Sequence, residues 1–395
     1  MDKGCVVCGN KEYEVLLDLD CGGFDSSPLY EKAIVVSCSN CNHVYNLLTE
    51  DQINGLYEYY SDEYSQANIE SPNKNGDIPG SFSKDSISRY SNLYSVIEKD
   101  INRGSIVLDV GCAMGGLLNF LSDHCDNLYG IDPTQNFVDI AQEKVNGSIE
   151  LASAESLPFT DNFFDIVFAD QVVEHLIDPG VFLKEANRVL KENGVLCISV
   201  PNAMHYRGTS FFDFYFFLMR EHVHHFCLKH LAAIVNEFGF VVEHETTTFP
   251  NLISNVGILP NLTMKFRKIK VNVNNDGLIS HSAIPVIKGY IQDGYRNLVK
   301  LKEKFKEISE SGNPVNIYGI GREFHYLWRN TELSECNVKL YDDTPIKQKM
   351  TVDGHHVLSS DMLDLNAEST IITSFAHIDA MSQKLRSLGF KGEIL

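Results

Sequence analysis

The run from SIVLDV through GCAMGG and LLNFLSDH to LYGID, residues 105 to 132, constrains the fold more than any other stretch. SIVLDV is a β-branched apolar run that stops in a glycine turn. LLNFLSDH has helical spacing, and LYGID is a second short strand ending in Asp132. Strand, glycine turn, helix, strand and acid in that order make the first half of a doubly wound α/β sheet. The glycines let the backbone approach a ligand closely. An acid 21 residues after Gly111 is placed to accept both ribose hydroxyls of an adenosine. Ala113 stands where a dinucleotide fingerprint wants glycine.

The alternation continues. FDIVFAD (164–170) reads as a strand, PGVFLKEANRVLKENG (179–194) as an amphipathic helix ended by Gly194, and GVLCISVPN (194–202) as a strand. LKHLAAIVNEFGF (228–240) is a helix stopped by Gly239, and VVEHETT (241–247) is a strand. Residues 287–308 form a charged amphipathic helix, and SGNP (311–314) marks a break. VNIYGIG (315–321) then enters a second glycine turn, REFHYLWRN is helical, VKLYDD (338–343) is a strand ending in two acids, and STIITSF and GEIL are further strands. This shorter copy lacks a third glycine, since Arg322, Glu323 and Phe324 follow Gly321. A degenerate structural copy and a small domain for a nucleotide-linked substrate both remain open.

With 395 residues, 44% of them hydrophobic and 22% charged, the chain suits two or three soluble globular domains. A net charge of −20 repels phosphate backbones, so nucleic acid is not an expected partner. The basic run KFRKIK (265–270) is short and reads as a solvated helix face. No apolar run reaches the length of a membrane span, and MDKGCVVC lacks the apolar core of a signal peptide. Ten cysteines without a secretory signal point to a reducing cytoplasm. Cys5 and Cys8 form one C-x-x-C, Cys38 and Cys41 a second; four thiolates so paired suit a structural zinc ion. A redox role has no thioredoxin-like strand–helix context to support it. Residues 51–104 are polar and rich in tyrosine, Tyr60 and Tyr64 among them, and 71–86 reads as a loop, a lid or a linker.

REHVHHF (220–226) places Glu221, His222, His224 and His225 together. They can open a helix over 221–237 and merely cap it, or do acid–base work. A metal held by all three histidines is disfavoured, because His224 would leave the helix face that His222 and His225 share.

LDVGCAMGG, the GID acid, AESLPF, FADQVVEHL, LKENGVL and EHVHHF, in that order, resemble class I S-adenosylmethionine-dependent methyltransferases over about residues 91–250. The resemblance implies that Asp109, Gly111 and Gly115 hold the methionine end of S-adenosylmethionine and Asp132 its ribose. Ala154 and Glu155 would flank the adenine, and Asp170 or Gln171 would lie beside the reacting sulfur.

The order of four-cysteine module, methyltransferase domain and small Rossmann-like domain resembles the sugar C-methyltransferases of deoxysugar biosynthesis, which methylate a carbon of a nucleotide-linked keto sugar. In that family the segment reads approximately His-Glu-His-x-x-Tyr-Phe. Glu221, His222 and Phe226 match, whereas Arg220 and His225 depart.

The expected domains are therefore a zinc module (1–50), a helical lid segment (51–90), the methyltransferase domain (91–250), a helical connector (251–312) and a small Rossmann-like domain (313–395). Within them His222 is the expected general base and Glu221 its orienting or enolate-contacting partner. His175 is a second polar group at the sheet edge, and Tyr64 reaches in from the lid. The alternatives are an O- or N-methyltransferase for another small molecule or a surface polysaccharide unit, and an inactive binding protein of the same fold. The oligomeric state is not legible.

Overall fold

The structure is a computed structural model that describes residues 4–22, 28–61, 64–65, 69, 78–207, 215–218, 220–253, 257–269, 282–345, 347–374 and 377–395. Much of the loop expected at 71–86 lies outside them. The chain divides into two compact units, one of residues 1–17, 34–210 and 217–289, the other of 18–33, 211–216 and 290–395.

The amino-terminal strands β1 (Tyr13–Asp20), β2 (Lys32–Cys38) and β3 (Val44–Leu47) begin a small sheet. The central sheet of the first unit takes β4 (Ile106–Val110), β5 (Asn127–Asp132), β6 (Ser148–Leu151), β7 (Phe164–Asp170) and β8 (Leu190–Pro201). The chain then returns to the small sheet with β9 (His224–His225), which pairs antiparallel with β3. β10 (Phe240–Thr248), a short hairpin of β11 (Asn251–Ile253) and β12 (Gly257–Ile258), and β13 (Asn261–Lys268) follow. The central order is β10-β13-β8-β7-β4-β5-β6, parallel from β8 to β6, with β13 and β10 antiparallel at the other end. β4 and β7 flank the point where the order reverses, and open α/β sheets bind their ligands at such a point, beyond the strands' carboxyl ends.

The inner parallel strands β4 and β7 and the second half of β8 are buried on both faces, as their continuous apolar runs require. Val107, Ile166, Phe168, Val195 and Cys197 pack into one core, while Leu108, Val110, Val167, Ala169, Leu196 and Ile198 pack into the other.

Four expectations change. KFRKIK is not a helix face: Lys265 and Arg267 stand on β13 and pair with Asp100 (2.9 and 2.6 Å) and Glu243 (3.4 and 2.7 Å). Residues 251–312 are accordingly not all helical. Asn261–Lys268 alternates and completes the sheet against β8 and β10, and the helix spans Ile284–Ser311. The helix expected at 221–237 begins only at Leu228. Before it, Asn46 of β3 donates its backbone N–H to the Val223 carbonyl (2.8 Å) and its side-chain amide to the His222 carbonyl (2.9 Å), which holds the histidine segment extended. The helix Pro179–Val189 also ends early, because Leu190 already pairs with Phe164 of β7.

The second unit repeats the plan in smaller form. β14 (Val315–Tyr318), the helix Arg322–Asn330, β15 (Val338–Tyr341), β16 (Thr351–Val352), β17 (His355–Leu358), β18 (Ser369–Ile372) and β19 (Glu393–Ile394) give the order β16-β17-β15-β14-β18-β19. All neighbours are parallel except β16 and β17. Among the described residues no helix is long and apolar enough to cross a membrane.

Candidate functional site

The loop after β4 is built for close approach. Gly111 and Gly115 have φ of 73° and 83°, and Ala113 is left-handed too, at 44°. A Cβ on Gly111 would meet Val172 at 2.6 Å and one on Gly115 would meet Val145 at 2.4 Å. The N–H groups of Gly111 and Cys112 bind the Ile131 carbonyl at 2.8 and 2.9 Å, which ties the loop to the end of β5.

There Asp132 accepts from the Ala113 N–H and the Thr134 N–H, both at 3.0 Å. The Thr134 side chain adds to these bonds, and among the roughly four lone-pair sites of a carboxylate accepting capacity remains for a ligand hydroxyl. Burial pushes Asp132 up to about 6, against those backbone bonds. Burial likewise pushes Asp109 up to about 8, opposed by Arg89. Ala154 and Glu155 follow β6, which runs beside Asp132, and the Tyr57 hydroxyl donates to Glu155 at 3.2 Å. The expected loop residues Asp109, Gly111, Gly115 and Asp132 thus gather at one edge of the sheet, and this cradle with an acid of spare accepting capacity fits S-adenosylmethionine.

At the end of β7, Asp170 pairs with the Arg89 guanidinium and accepts from the Ser199 hydroxyl. Gln171, left-handed at φ 56°, donates to Asn261 (2.9 Å) and Ser199 (3.3 Å). Arg89 sits on the helix Lys84–Ile97, and its electrostatic influence reaches Asp109, Tyr64 and Glu174. Nothing in its helical surroundings marks it in the sequence.

The expected acid–base residues also meet. A ring nitrogen of His175, a ring nitrogen of His222 and a carboxylate oxygen of Glu174 lie within 4.8 Å of one another, and the two rings are 5.0 Å apart. His222 donates from Nδ1 to the Phe217 carbonyl (3.2 Å), which leaves Nε2 as its basic nitrogen. His175 Nδ1 is 2.8 Å from both the Glu221 carbonyl and the Tyr60 hydroxyl. A carbonyl only accepts, so Nδ1 carries the proton. Burial lowers the basicity of His175, partly offset by Glu221. Tyr64 packs on Tyr60 (5.1 Å between rings), and its phenol is pushed up by burial and by Asp132, Glu221 and Glu174.

The other two histidines turn elsewhere. His224 faces His43 (3.3 Å), and His225 lies between Tyr206 (3.4 Å) and Asn46 (3.5 Å). Glu174 and Tyr60 are the residues sequence reasoning passed over. Glu174 stood beside a chosen histidine in VEHL, and Tyr60 was one tyrosine among several.

The four amino-terminal cysteines converge as well. Their sulfurs all lie within 4.8 Å of one another, with Cys5–Cys41 at 3.6 Å and Cys8–Cys38 at 3.5 Å. Tetrahedral Zn–S bonds imply sulfur separations of about 3.8 Å. The donor set therefore fits zinc.

The family described as methyltransferase domain matches residues 108–198. A protein of Methanocaldococcus jannaschii is 34% identical over 119 residues, covering 29% of this chain and 46% of its own length. The ubiquinone biosynthesis O-methyltransferase of Bradyrhizobium diazoefficiens is 38% identical over 104 residues, 25% of this chain and 41% of that one. The 2-methyl-6-phytyl-1,4-hydroquinone methyltransferase of Synechocystis is 36% identical over 101 residues, 24% and 32% respectively. The chain spans less than half the length of each of these relatives. The glycine cradle, the Asp132 acid and the family match coincide, and the chain carries a methyltransferase domain of the class I, S-adenosylmethionine-dependent type.

Proposed function

We propose that this protein transfers the methyl group of S-adenosylmethionine to a carbon of a nucleotide-linked keto sugar, with His222 as general base. The observation that carries the reading is the His222 tautomer. Nδ1 is committed to the Phe217 carbonyl, so a basic Nε2 stands in a buried group with His175, Glu174 and Tyr60.

S-adenosylmethionine supplies a sulfonium methyl that needs only an aligned, deprotonated acceptor. The chain does the rest. The Gly111–Gly115 loop and Asp132 hold the cofactor, with Asp109 at its methionine end, Ala154 and Glu155 at the adenine, and Asp170 and Gln171 near the sulfur. His222 takes the acceptor proton, Glu221 and His175 orient the site, and Tyr60 and Tyr64 roof it. The second unit repeats the strand–loop–acid plan in smaller form. Cys5, Cys8, Cys38 and Cys41 hold a structural zinc ion, and the free cysteines support a cytoplasmic location.

A second reading, methyl transfer to a hydroxyl, is favoured by one observation, the O-methyltransferase named among the relatives. Turnover of a panel of nucleoside-diphosphate keto sugars against a panel of phenols and hydroquinones separates the two. Methylated keto sugar is the expected product, and methylation of the phenols alone supports the second reading.

A further inference from the structure

Glu174 follows β7 in a single turn of 3-10 helix, beside the catalytic candidates, and has no role in the scheme above. It is 1% exposed, and neither carboxylate oxygen has a hydrogen-bond partner among the described residues. His175 Nε2 is 3.9 Å from Oε1, and a His222 ring nitrogen is within 4.8 Å of the carboxylate. Among the described residues, the titratable and charged groups that act around it are these two imidazoles, the phenols of Tyr60, Tyr64 and Tyr206, Arg89, and the Glu221 carboxylate, which acts on the same His175, Tyr60 and Tyr64. Of these only Arg89 is a fixed cation, and it is bound to Asp170. The three phenols are pushed up and stay neutral, and burial keeps His175 neutral. An ionised Glu174 would be a buried charge with no counter-charge of its own, which costs several kcal/mol.

We propose that Glu174 is held as an un-ionised carboxyl and donates the hydrogen bond to the oxyanion that forms on a carbonyl acceptor. Burial pushes it up to about 8, against the opposing pull of its own backbone N–H and of Arg89. The proposal rests on the keto-sugar reading, because a hydroxyl acceptor forms no enolate oxygen apart from the attacking atom. His222 Nε2 takes the proton from the acceptor carbon. The C–H electron pair becomes the carbon–carbon double bond, and the carbonyl π pair moves onto oxygen. The Glu174 O–H bonds to that oxygen without losing its proton. The pair then returns from oxygen, the carbon takes the methyl, and the S–CH3 electrons stay on sulfur. His222 gives its proton to solvent. A donor placed where charge develops is typically worth about 100-fold or more in rate.

The test uses the full-length protein with S-adenosylhomocysteine in the cofactor site and nucleoside-diphosphate keto sugars as probes in deuterated water. Proton NMR reads exchange of the hydrogen next to the ketone, which isolates enolisation from methyl transfer. Infrared spectroscopy reads the carbonyl stretch of an un-ionised carboxyl. The expected results are a carboxyl band at pH 7 in the wild-type-minus-E174Q difference spectrum, where the contribution of Asp109, also pushed up to about 8, cancels, and exchange slowed about 100-fold in E174A. E174Q, whose amide still donates, should stay within about tenfold of wild type and lose the fall in rate above pH 8. Calorimetry with S-adenosylhomocysteine shows that both variants are folded.

The proposal is overturned if the difference band is absent, if E174Q is as slow as E174A, or if wild type binds a divalent ion, beyond any on the four cysteines, that E174Q loses. If wild type exchanges none of the probes, the keto-sugar reading fails and takes the donor role with it, while the infrared band still reports whether Glu174 is ionised.

Discussion

Asp132 and Asp342 make the same pair of backbone contacts in two different units. Asp132 accepts from Ala113 in the glycine loop and from Thr134 two residues ahead, both at 3.0 Å. Asp342 accepts from Ile320 in its own glycine loop (2.7 Å) and from Thr344 two residues ahead (2.9 Å). The difference is Lys347, whose Nζ lies 3.3 Å from Asp342 and occupies accepting capacity that Asp132 retains. D132N should therefore weaken S-adenosylhomocysteine binding by about 10- to 100-fold, the loss of hydrogen bonds to a charged acceptor, whereas D342N leaves it unchanged. Isothermal titration of the two variants checks this.

Removing the base should leave the cofactor site intact. H222A is expected to lower kcat by about 100- to 10,000-fold, with cofactor affinity within twofold of wild type. Single-turnover rates and the same titration separate these effects. A loss of cofactor binding in H222A would place His222 in the cofactor site instead.

Buried acids make the cofactor-free protein lose stability as pH rises. Burial holds Glu174 and Asp109 at about 8 and Asp132 at about 6. In the unfolded chain such carboxyls titrate near 4. Between these values the folded state holds protons that the unfolded state has released, so each group removes up to about 1.4 kcal/mol per pH unit. The contribution is fully present below about pH 4 and lost as pH climbs through the folded values. Asp100 and Glu243 act in the opposite sense: Arg267 and Lys265 hold them low, and their stabilisation is lost only as pH falls below the usual carboxylate range. The urea midpoint should fall from pH 5 to pH 8, and E174Q should flatten that slope.

Ala113 holds a left-handed backbone with a side chain that disfavours it. A113G should raise stability by about 1 kcal/mol, net of the glycine's unfolded-state entropy, and keep cofactor affinity. Thermal melts with and without S-adenosylhomocysteine measure both.

The cysteine module should carry about one zinc ion per chain by elemental analysis. C38S should lose it and lower the melting temperature, because a segment of this size has too small a core to stand alone.

What was legible in the sequence follows from locality. The glycine loop and Asp132 lie within one strand–helix–strand unit, so their spacing implies their meeting. The C-x-x-C pairs announce themselves the same way. Residues whose partners come from far along the chain were not readable. His224 and His225 form a strand only because β3, some 180 residues earlier, supplies the edge. Lys265 and Arg267 look like an exposed basic run until Asp100 and Glu243 are beside them. Glu174 reads as a polar neighbour of His175. Its side-chain oxygens lack hydrogen-bond partners among the described residues, which no local pattern encodes.

The most direct test of the central claim is product analysis with methyl-13C S-adenosylmethionine and nucleoside-diphosphate keto sugars. The account predicts a new carbon–carbon bond to the labelled methyl and loss of the hydrogen on that carbon. A label attached to oxygen, or no transfer to any keto sugar, would contradict it.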